Sequence, residues 1–460
     1  MMRRLLLIAL LIGAPSPSRA QTKPAPPTPA AAQPAKAGLD VPYTQFNLPN
    51  GLHVILHEDH RVPLVTVNVW YHVGSAREKP GRTGFAHLFE HLMFMGSAHA
   101  KYGDFDQLLE SAGGTNNAST AEDRTNYYID VPSNALDLAL FLESDRMAYL
   151  LDAMSPKTVD AQRDVVKNER RQSYENAPYG MAPIEIAQLL YPKGHPYSWP
   201  TIGYMEDLSA ASYQDVVDFF KMYYQPGNAS LVVAGDIDVA PARAAVEKWF
   251  AEVKPGPAPV PPIDYPHPFL TDMKRKTIQD RVQLARLYLT WITPAHFEPG
   301  DAELDVVSLL LAGGKNSRLY KRLVYELQIA QDVAAFQASK ILNSEYQIVV
   351  TARPGASIDK IRAVVDEEMT KIQQAPPAGR EFTRAINQIE SSFYDRMERV
   401  GNFGGVGDQL NGYYFAAGNP GYFKEDLSRY RALAPDDIQA IAQKWLPLNK
   451  RVELVVEPIK

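Results

Sequence analysis

The chain has 460 residues, 45% of them hydrophobic and 22% charged, a composition typical of a globular protein with roughly two to four domains. The net charge of −6 provides no basic surface, so we expect no nucleic-acid partner. Cysteine is absent, which excludes disulfides, a thiol nucleophile and thiolate zinc ligands. Any metal site therefore has to use histidine and carboxylate side chains.

The first 40 residues have the features of an export signal followed by a tether. Arg3 and Arg4 precede the apolar run LLLIALLIGA, so residues 1–20 are predicted to be a secretory signal that is cleaved after Ala20. Residues 21–40 are rich in proline and alanine, which predicts an extended, disordered tether. Because no later stretch of about 18 uninterrupted apolar residues occurs, we expect export across the inner membrane to the periplasm, without a membrane anchor.

Segments with strand spacing and segments with helical spacing alternate along the rest of the chain. Apolar runs predict strands on both sides of a turn at residues 59–63, and again at residues 125–132. Helical spacing with polar N-caps or a terminal glycine predicts helices within residues 104–114, 132–151 and 155–178. This alternation is typical of α/β and α+β proteins, and we predict the α+β class.

A proline-rich segment, KPGPAPVPPIDYPHP, divides the folded part into two halves of similar length. It is predicted to be a linker, residues 254–268, between an N-terminal domain, 41–253, and a C-terminal domain, 269–460. Residues 213–237 align without a gap with residues 435–459, so each half ends with the same helix-then-strand unit. Apolar helix spacing alone could generate part of this match. We predict two duplicated halves, each an antiparallel sheet with helices.

The segment GFAHLFEHLMFMGS, residues 84–97, places His87, Glu90 and His91 among apolar residues. On a helix with about 100° per residue, His87 and His91 lie about 40° apart, and Glu90 lies about 60° to the other side of His87. Structural histidines in a core are the simpler interpretation for a single histidine. Two imidazoles at i and i+4, however, can bind one zinc ion, and a neighbouring carboxylate can take a proton from water. We predict one Zn²⁺ per chain, with Glu90 as the general base.

A catalytic zinc ion normally takes a third protein ligand, and an acidic residue on another buried helix is the expected type. On the residues alone, Glu169, Glu175 and Glu122 are all candidates. Glu169 lies in the segment RDVVKNE, 78 positions after His91. This context, together with the His-x-x-Glu-His order, resembles the pitrilysin/insulinase family of zinc peptidases, which includes bacterial two-domain members and the subunits of the mitochondrial processing peptidase. The resemblance implies that Glu169 is the third ligand.

The resemblance extends over nearly the whole mature chain. Residues 113–132, 194–208 and 313–328 are similar to the substrate-edge segment, a characteristic loop and the start of the second half in that family. Family members hold a peptide as an added strand against a sheet edge. By this resemblance Asn117 and Ala118 are substrate-binding residues.

Two features of the chain depart from the family pattern. Gln162 stands seven residues before Glu169, where the family usually has a second glutamate; its amide can hydrogen-bond a ligand or water but supplies no charge. Active single-chain members grip the substrate with an arginine and a tyrosine in the second half, and Val324 and Gln331 stand at those positions here. The chain therefore resembles the zinc-bearing subunit of a two-subunit enzyme, with a homologous partner in a heterodimer or with a second copy in a homodimer.

These features predict a zinc-dependent endopeptidase that hydrolyses peptides or unfolded segments with metal-activated water. The alternative is a low-activity binding or scaffold subunit that retains the peptidase fold, which the substitution of the arginine and tyrosine favours. Hydrolysis of a non-peptide substrate also stays open, because activated water attacks esters as well as amides.

Overall fold

A computed structural model describes residues 39–459. The predicted signal, residues 1–20, and nearly all of the predicted tether, residues 21–40, lie outside the described residues. Between residues 39 and 459, no helix is both long enough and apolar enough to cross a bilayer.

The first half is built on a six-stranded sheet with the strand order β1-β2-β6-β3-β5-β4. The strands are β1 (Thr44–Asn47), β2 (His53–Glu58), β3 (Leu64–Tyr71), β4 (Thr115–Thr120), β5 (Thr125–Pro132) and β6 (Ala229–Gly235). Strand β6 is buried along its whole length, because both faces of the sheet are covered. Strand β4 forms one edge of the sheet and pairs with β5.

Eight helices belong to the first half. They are α1 (Phe85–Leu92), α2 (Asp104–Ser111), α3 (Leu136–Ala153), α4 (Pro156–Arg170), α5 (Ala182–Leu190), α6 (Met205–Ala210), α7 (Tyr213–Tyr223) and α8 (Val239–Phe250). Helix α4 has a favourable start, since the Ser155 hydroxyl accepts a hydrogen bond from the Thr158 N–H and Pro156 occupies the first turn. It continues into a π-turn at Arg171–Glu175.

The second half is built on a five-stranded sheet with the order β7-β11-β8-β10-β9. The strands are β7 (Lys274–Asp280), β8 (Arg286–Thr293), β9 (Ala330–Ala338), β10 (Ser344–Ala352) and β11 (Val452–Pro458). The helices are α9 (Asp301–Ala312), α10 (Ile358–Gln374), α11 (Gly379–Arg396), α12 (Val406–Ala417), α13 (Phe423–Arg431) and α14 (Pro435–Trp445). Between α8 and β7, residues 251–273 contain no helix or strand, and the predicted linker falls within this stretch.

The two sheets share one topology. The order β2-β6-β3-β5-β4 in the first half corresponds strand for strand to β7-β11-β8-β10-β9 in the second. In each sheet one pair is parallel, β2 with β6 and β7 with β11, and the other neighbours are antiparallel. The predicted α+β class with two sheet-and-helix halves is confirmed, and the sheets are antiparallel apart from this one pair in each. A shared topology of this kind is what duplication produces.

The two halves exchange helices across their interface. Helix α12 of the second half packs on β3 and β6 of the first sheet, where the Asn411 amide donates hydrogen bonds to the main-chain and side-chain oxygens of Asn68 at 2.9 and 2.7 Å. Helix α5 of the first half packs on β8 and β11 of the second sheet, and its Ile186 lies in an apolar cluster with Leu454. Each sheet therefore needs a helix from the other half to cover one of its faces.

Two hairpin loops also meet at this interface. Lys340, in the β9–β10 loop, lies 2.7 Å from a carboxylate oxygen of Glu122, in the β4–β5 loop, and 2.7 Å from one of Glu345. Burial alone would lower the pKa of the Lys340 ammonium, but the two carboxylates outweigh it and raise the pKa well above its usual value. The Ile341 N–H in the β9–β10 loop donates a hydrogen bond to the carboxylate of Asp123 in the β4–β5 loop at 3.0 Å. The second half thus holds the end of the hairpin that contains edge strand β4.

Replacing Lys340 with methionine is expected to lower the free energy of unfolding by about 3 kcal/mol, because it leaves the partly buried Glu122 carboxylate and the buried Glu345 carboxylate without their cation. Urea unfolding followed by circular dichroism at pH 7 measures this change. Lys248→Met is the matched control: Lys248 pairs with Asp137 at 2.7 Å, but both side chains are more than half exposed, so its loss is expected to change stability by less than about 1 kcal/mol. Equal effects of the two substitutions would contradict the role given to Lys340.

Candidate metal centre

Helix α1 has two faces of different character. Its apolar residues lie on one face, and two histidines and a glutamate lie on the other. Phe85, Leu88, Phe89 and Leu92, at the spacing i, i+3, i+4 and i+7, are all buried in the first-half core. His87, Glu90 and His91 remain partly accessible. The helix and its polar stripe therefore lie where the sequence spacing predicts.

Helix α1 begins after a glycine, and a side chain from the preceding segment caps its first turn. Gly84 has a left-handed φ of 89°, and a Cβ there would lie 2.9 Å from the Ile202 carbonyl oxygen, so this position requires glycine. Gly84 has no side chain to accept hydrogen bonds, and the Glu78 carboxylate does so instead, from the N–H groups of Gly84 and Ala86 at 2.8 Å each. Burial raises the pKa of Glu78 well above its usual value, although these backbone donors oppose the shift. Glu78 thus fixes the first turn of the helix.

Three side chains of α1 and α4 converge on one point. His87 Nε2 lies 3.6 Å from one oxygen of the Glu169 carboxylate, and His91 Nε2 lies 3.1 Å from the other. Ligand atoms of all three residues lie within 4.8 Å of one another. Tetrahedral zinc with bonds of about 2.1 Å holds its ligand atoms about 3.4 Å apart, so the arrangement fits a zinc ion. Between residues 39 and 459, this is the only group of three or more acidic, histidine or cysteine side chains with such spacing.

The packing of α4 against α1 brings Glu169 to the histidines. Val166, one turn earlier, is fully buried in the first-half core, and Arg170 donates a hydrogen bond to the Gly203 carbonyl. These anchors on both sides leave Glu169 facing α1. Gln162, two turns before it, donates a hydrogen bond to Met95 Sδ at 2.9 Å and so links α4 to the segment after α1. The expectation that Gln162 supports a metal ligand or water stays a prediction.

The electrostatics suit cation binding. Burial lowers the pKa of His87 to about 4, against the raising effect of Glu169, so this imidazole is neutral at pH 7, as a metal ligand must be. The hydrogen bond with His91 lowers the pKa of Glu169, which keeps the carboxylate ionised. Burial raises the pKa of Glu90, while the Thr120 hydroxyl, which donates to its carboxylate, opposes the shift.

The two predicted substrate-binding residues lie on edge strand β4. Asn117 is next to Ala118, and its side-chain oxygen accepts a hydrogen bond from the Ala118 N–H at 2.8 Å. Ala118 is buried in the same core as α1. Among the described strands, β4 has β5 as its single neighbour, so one side of β4 is not paired with a strand.

The two positions expected to carry a substrate clamp lie in different environments. Val324 is buried in the core of the second half, within a π-turn at Tyr320–Glu326. Gln331 is exposed on β9, which forms an edge of the second sheet. Neither side chain can form the charged and phenolic contacts expected of an arginine and a tyrosine.

Sequence reasoning missed Glu78 and Thr120. Strand alternation from Ala118 could have shown that Thr120 faces α1 as well. Nothing local pointed to Glu78, because its partners are backbone groups that become neighbours only in the folded chain.

Comparisons with known proteins identify the family of the chain. Residues 53–183 match the model described as insulinase (peptidase family M16), and residues 210–389 match the one described as peptidase M16 inactive domain. Zinc protease PqqE of Helicobacter pylori is 29% identical over 79% of this chain and 82% of its own length. The probable mitochondrial-processing peptidase subunit beta of Arabidopsis thaliana is 23% identical over 89% and 77%.

Solved structures resemble the fold over most of its length. The crystal structure of a protease from Helicobacter pylori superposes with a TM-score of 0.85 at 25% identity, covering 91% of this chain and all of that one. The matched models span both halves, and the relatives and the solved structure cover most of the chain. The chain belongs to the insulinase family, peptidase family M16.

Proposed function

We propose that the chain is a zinc-dependent endopeptidase that hydrolyses peptides or unfolded polypeptide segments. The observation that carries this proposal is the convergence of His87, His91 and Glu169 beside Glu90. Relatives that carry the name zinc protease support it. Zinc, when bound, supplies a Lewis acid that activates water and polarises the substrate carbonyl.

Each residue of the site has a distinct task in this proposal. The two imidazoles bind the metal through Nε2, and Glu169 adds the negative charge that favours a divalent cation. Glu90 takes a proton from the attacking water on its carboxylate and transfers it to the leaving amine. Partial burial brings the pKa of Glu90 closer to neutrality, which makes the carboxylate a better base than one in water.

The free edge of β4 provides the means of holding the substrate. An extended peptide can add to this edge as a further strand, so that main-chain hydrogen bonds give affinity near Asn117 and Ala118. Strand addition requires an extended chain, which favours peptides and unfolded segments over folded proteins.

We also propose that a homologous subunit completes the enzyme. The chain carries the metal ligands and Glu90, but Val324 is buried and Gln331 is uncharged at the two clamp positions. One relative is itself named as a subunit. A second copy of this chain is the alternative partner. The export signal predicted from the sequence is the reason for proposing a periplasmic location for the assembly.

A binding or scaffold subunit is the second candidate function. It is favoured by the two clamp positions and by the inactive-domain description that matches residues 210–389. The complete set of three metal-binding side chains beside Glu90 argues for the peptidase. Peptide hydrolysis that is abolished by a chelator and restored by zinc would distinguish the two.

Removing one proposed ligand is expected to release the metal. Glu169→Gln should lower the zinc content after dialysis from about one ion per chain to below about 0.1, because three ligands become two and a charge is lost. Elemental analysis by mass spectrometry measures this. Glu175→Gln, in the π-turn that follows α4, is the matched control and should retain the ion. Full zinc occupancy in Glu169→Gln would remove this residue from the ligand set.

Replacing the proposed base is expected to separate turnover from metal binding. Glu90→Gln should keep the zinc ion and lower kcat on a fluorogenic peptide by a factor on the order of 10³, because the amide cannot accept the proton. The exposed Glu110→Gln on α2 serves as control and should cleave at the normal rate. Near-normal cleavage by pure Glu90→Gln protein would disprove the assignment.

The two-subunit proposal makes a quantitative prediction. The purified chain alone should cleave peptides slowly, and a homologue with arginine and tyrosine at the clamp positions should raise the rate at least about tenfold by contacts to the transition state. If a second copy is the partner, specific activity should instead rise with the concentration of this chain. A full rate from the chain at every concentration, unchanged by the homologue, would refute both versions.

A further inference from the structure

The last residue of strand β4 contacts the proposed base directly. Thr120 Oγ1 donates a hydrogen bond to Glu90 Oε2 at 2.6 Å. The alternation of the strand produces this contact: Ala118 and Thr120 face α1, whereas Ser119 between them faces the opposite side and donates to Asn126 Oδ1 at 2.6 Å. The hydroxyl of Thr120 is therefore aimed at the metal-site face of the sheet.

Hydrogen bonds of the β4–β5 hairpin hold Thr120 in place although it lies on an edge strand. It pairs with Thr125 across the hairpin, and the loop closes with a hydrogen bond from the Ala121 N–H to the Arg124 carbonyl at 2.9 Å. The Ser75 N–H donates to the Ala121 carbonyl at 3.2 Å, so the loop is also tied to the segment before α1. The hydroxyl thus has a fixed position relative to α1.

Glu90 has a long side chain that needs such an anchor. A glutamate side chain has three rotatable bonds, and a base acts well only when one oxygen is held within hydrogen-bond reach of the attacking water. With one lone pair of Oε2 taken by the Thr120 hydroxyl, Oε1 is the oxygen that we expect to accept the proton. A fixed Oε2 defines the direction in which Oε1 points.

We propose that Thr120 is a positioning residue for the hydrolytic reaction. Its hydroxyl orients the Glu90 carboxylate. Its main chain belongs to β4, the strand on which we propose that the peptide docks. The same strand therefore positions both the base and the substrate. This inference rests on the proposed function, since it assigns Thr120 a task through Glu90. It concerns the rate of the chemical step and not the binding of metal or peptide.

The test compares variants with and without the hydroxyl. Thr120→Val keeps the shape of the side chain and is expected to lower kcat about 10- to 100-fold, the effect of losing one hydrogen bond to a charged group. KM should stay within about twofold of the wild type, and zinc content should be unchanged, because neither docking nor the ligands are altered. Thr120→Ser restores the donor and should keep at least about half of the wild-type kcat. Thr277→Val, at an exposed position of β7 in the second half, is the matched control and should leave both constants within about twofold.

Several results would overturn the proposal. A wild-type kcat in Thr120→Val would do so, as would a loss that appears in KM or in zinc content. Thr120→Ser as slow as Thr120→Val would show that packing and not the hydroxyl matters. If Thr120→Val does not fold, Thr120→Ala provides the second variant without a hydroxyl, with the same expected fall in kcat.

The Glu90→Gln background separates this inference from the proposed function. There Thr120→Val should cause no further loss, because the carboxylate that it orients is gone. If Glu90→Gln itself cleaves normally, the proposed function fails whatever Thr120 does. If Glu90→Gln is inactive while Thr120→Val is fully active, the proposed function stands and the positioning role fails.

Discussion

The packing of α1 against α4 is the contact on which the rest of the site depends. Two partly buried imidazoles four residues apart place their Nε2 atoms against the carboxylate of Glu169, which comes from α4. Val166 and Arg170 anchor α4 on both sides of that carboxylate, while Glu78 fixes the start of α1. The geometry is thus set by backbone and core contacts and not by the three polar side chains alone, which is the preorganisation that metal binding needs.

Much of this arrangement could be predicted from the sequence, and the remainder has a physical reason for having been missed. Helical spacing fixed the common face of His87 and His91, because that relation depends only on the helical repeat. The gapless alignment of the ends of the two halves predicted that the halves are related, and the shared sheet topology agrees with it. The one parallel pair in each sheet and the exchanged helices were not predictable. They depend on which segments become neighbours in space, and local periodicity carries no information about that.

The interlocking of the halves gives the second half a task that its own residues do not reveal. Helix α12 covers the first sheet, and Lys340 holds the β4–β5 loop through Glu122. That loop joins β4 to β5, and Thr120, the last residue of β4, donates a hydrogen bond to Glu90. An edge strand is ordinarily among the least stable parts of a sheet, because one side lacks hydrogen-bonded neighbours. The second half therefore stabilises β4, the strand beside the candidate metal centre, although the candidate metal ligands all lie in the first half.

The topology also explains how one duplicated fold can carry two different tasks. Helix α1 follows β3 in the first half, and α9 follows β8 in the corresponding place of the second. Helix α9 contains no histidine and buries a run of aliphatic residues, so the same place in the fold contributes to a core instead of a metal site. Sheet order, edge strand and hairpin are kept in both halves, while the polar stripe is present in one. Because a fold constrains where a site can be built but not whether it is built, a half without the histidine stripe can still contribute to the structure. The second half of this chain consequently supports the candidate metal centre of the first half through packing and ion pairs.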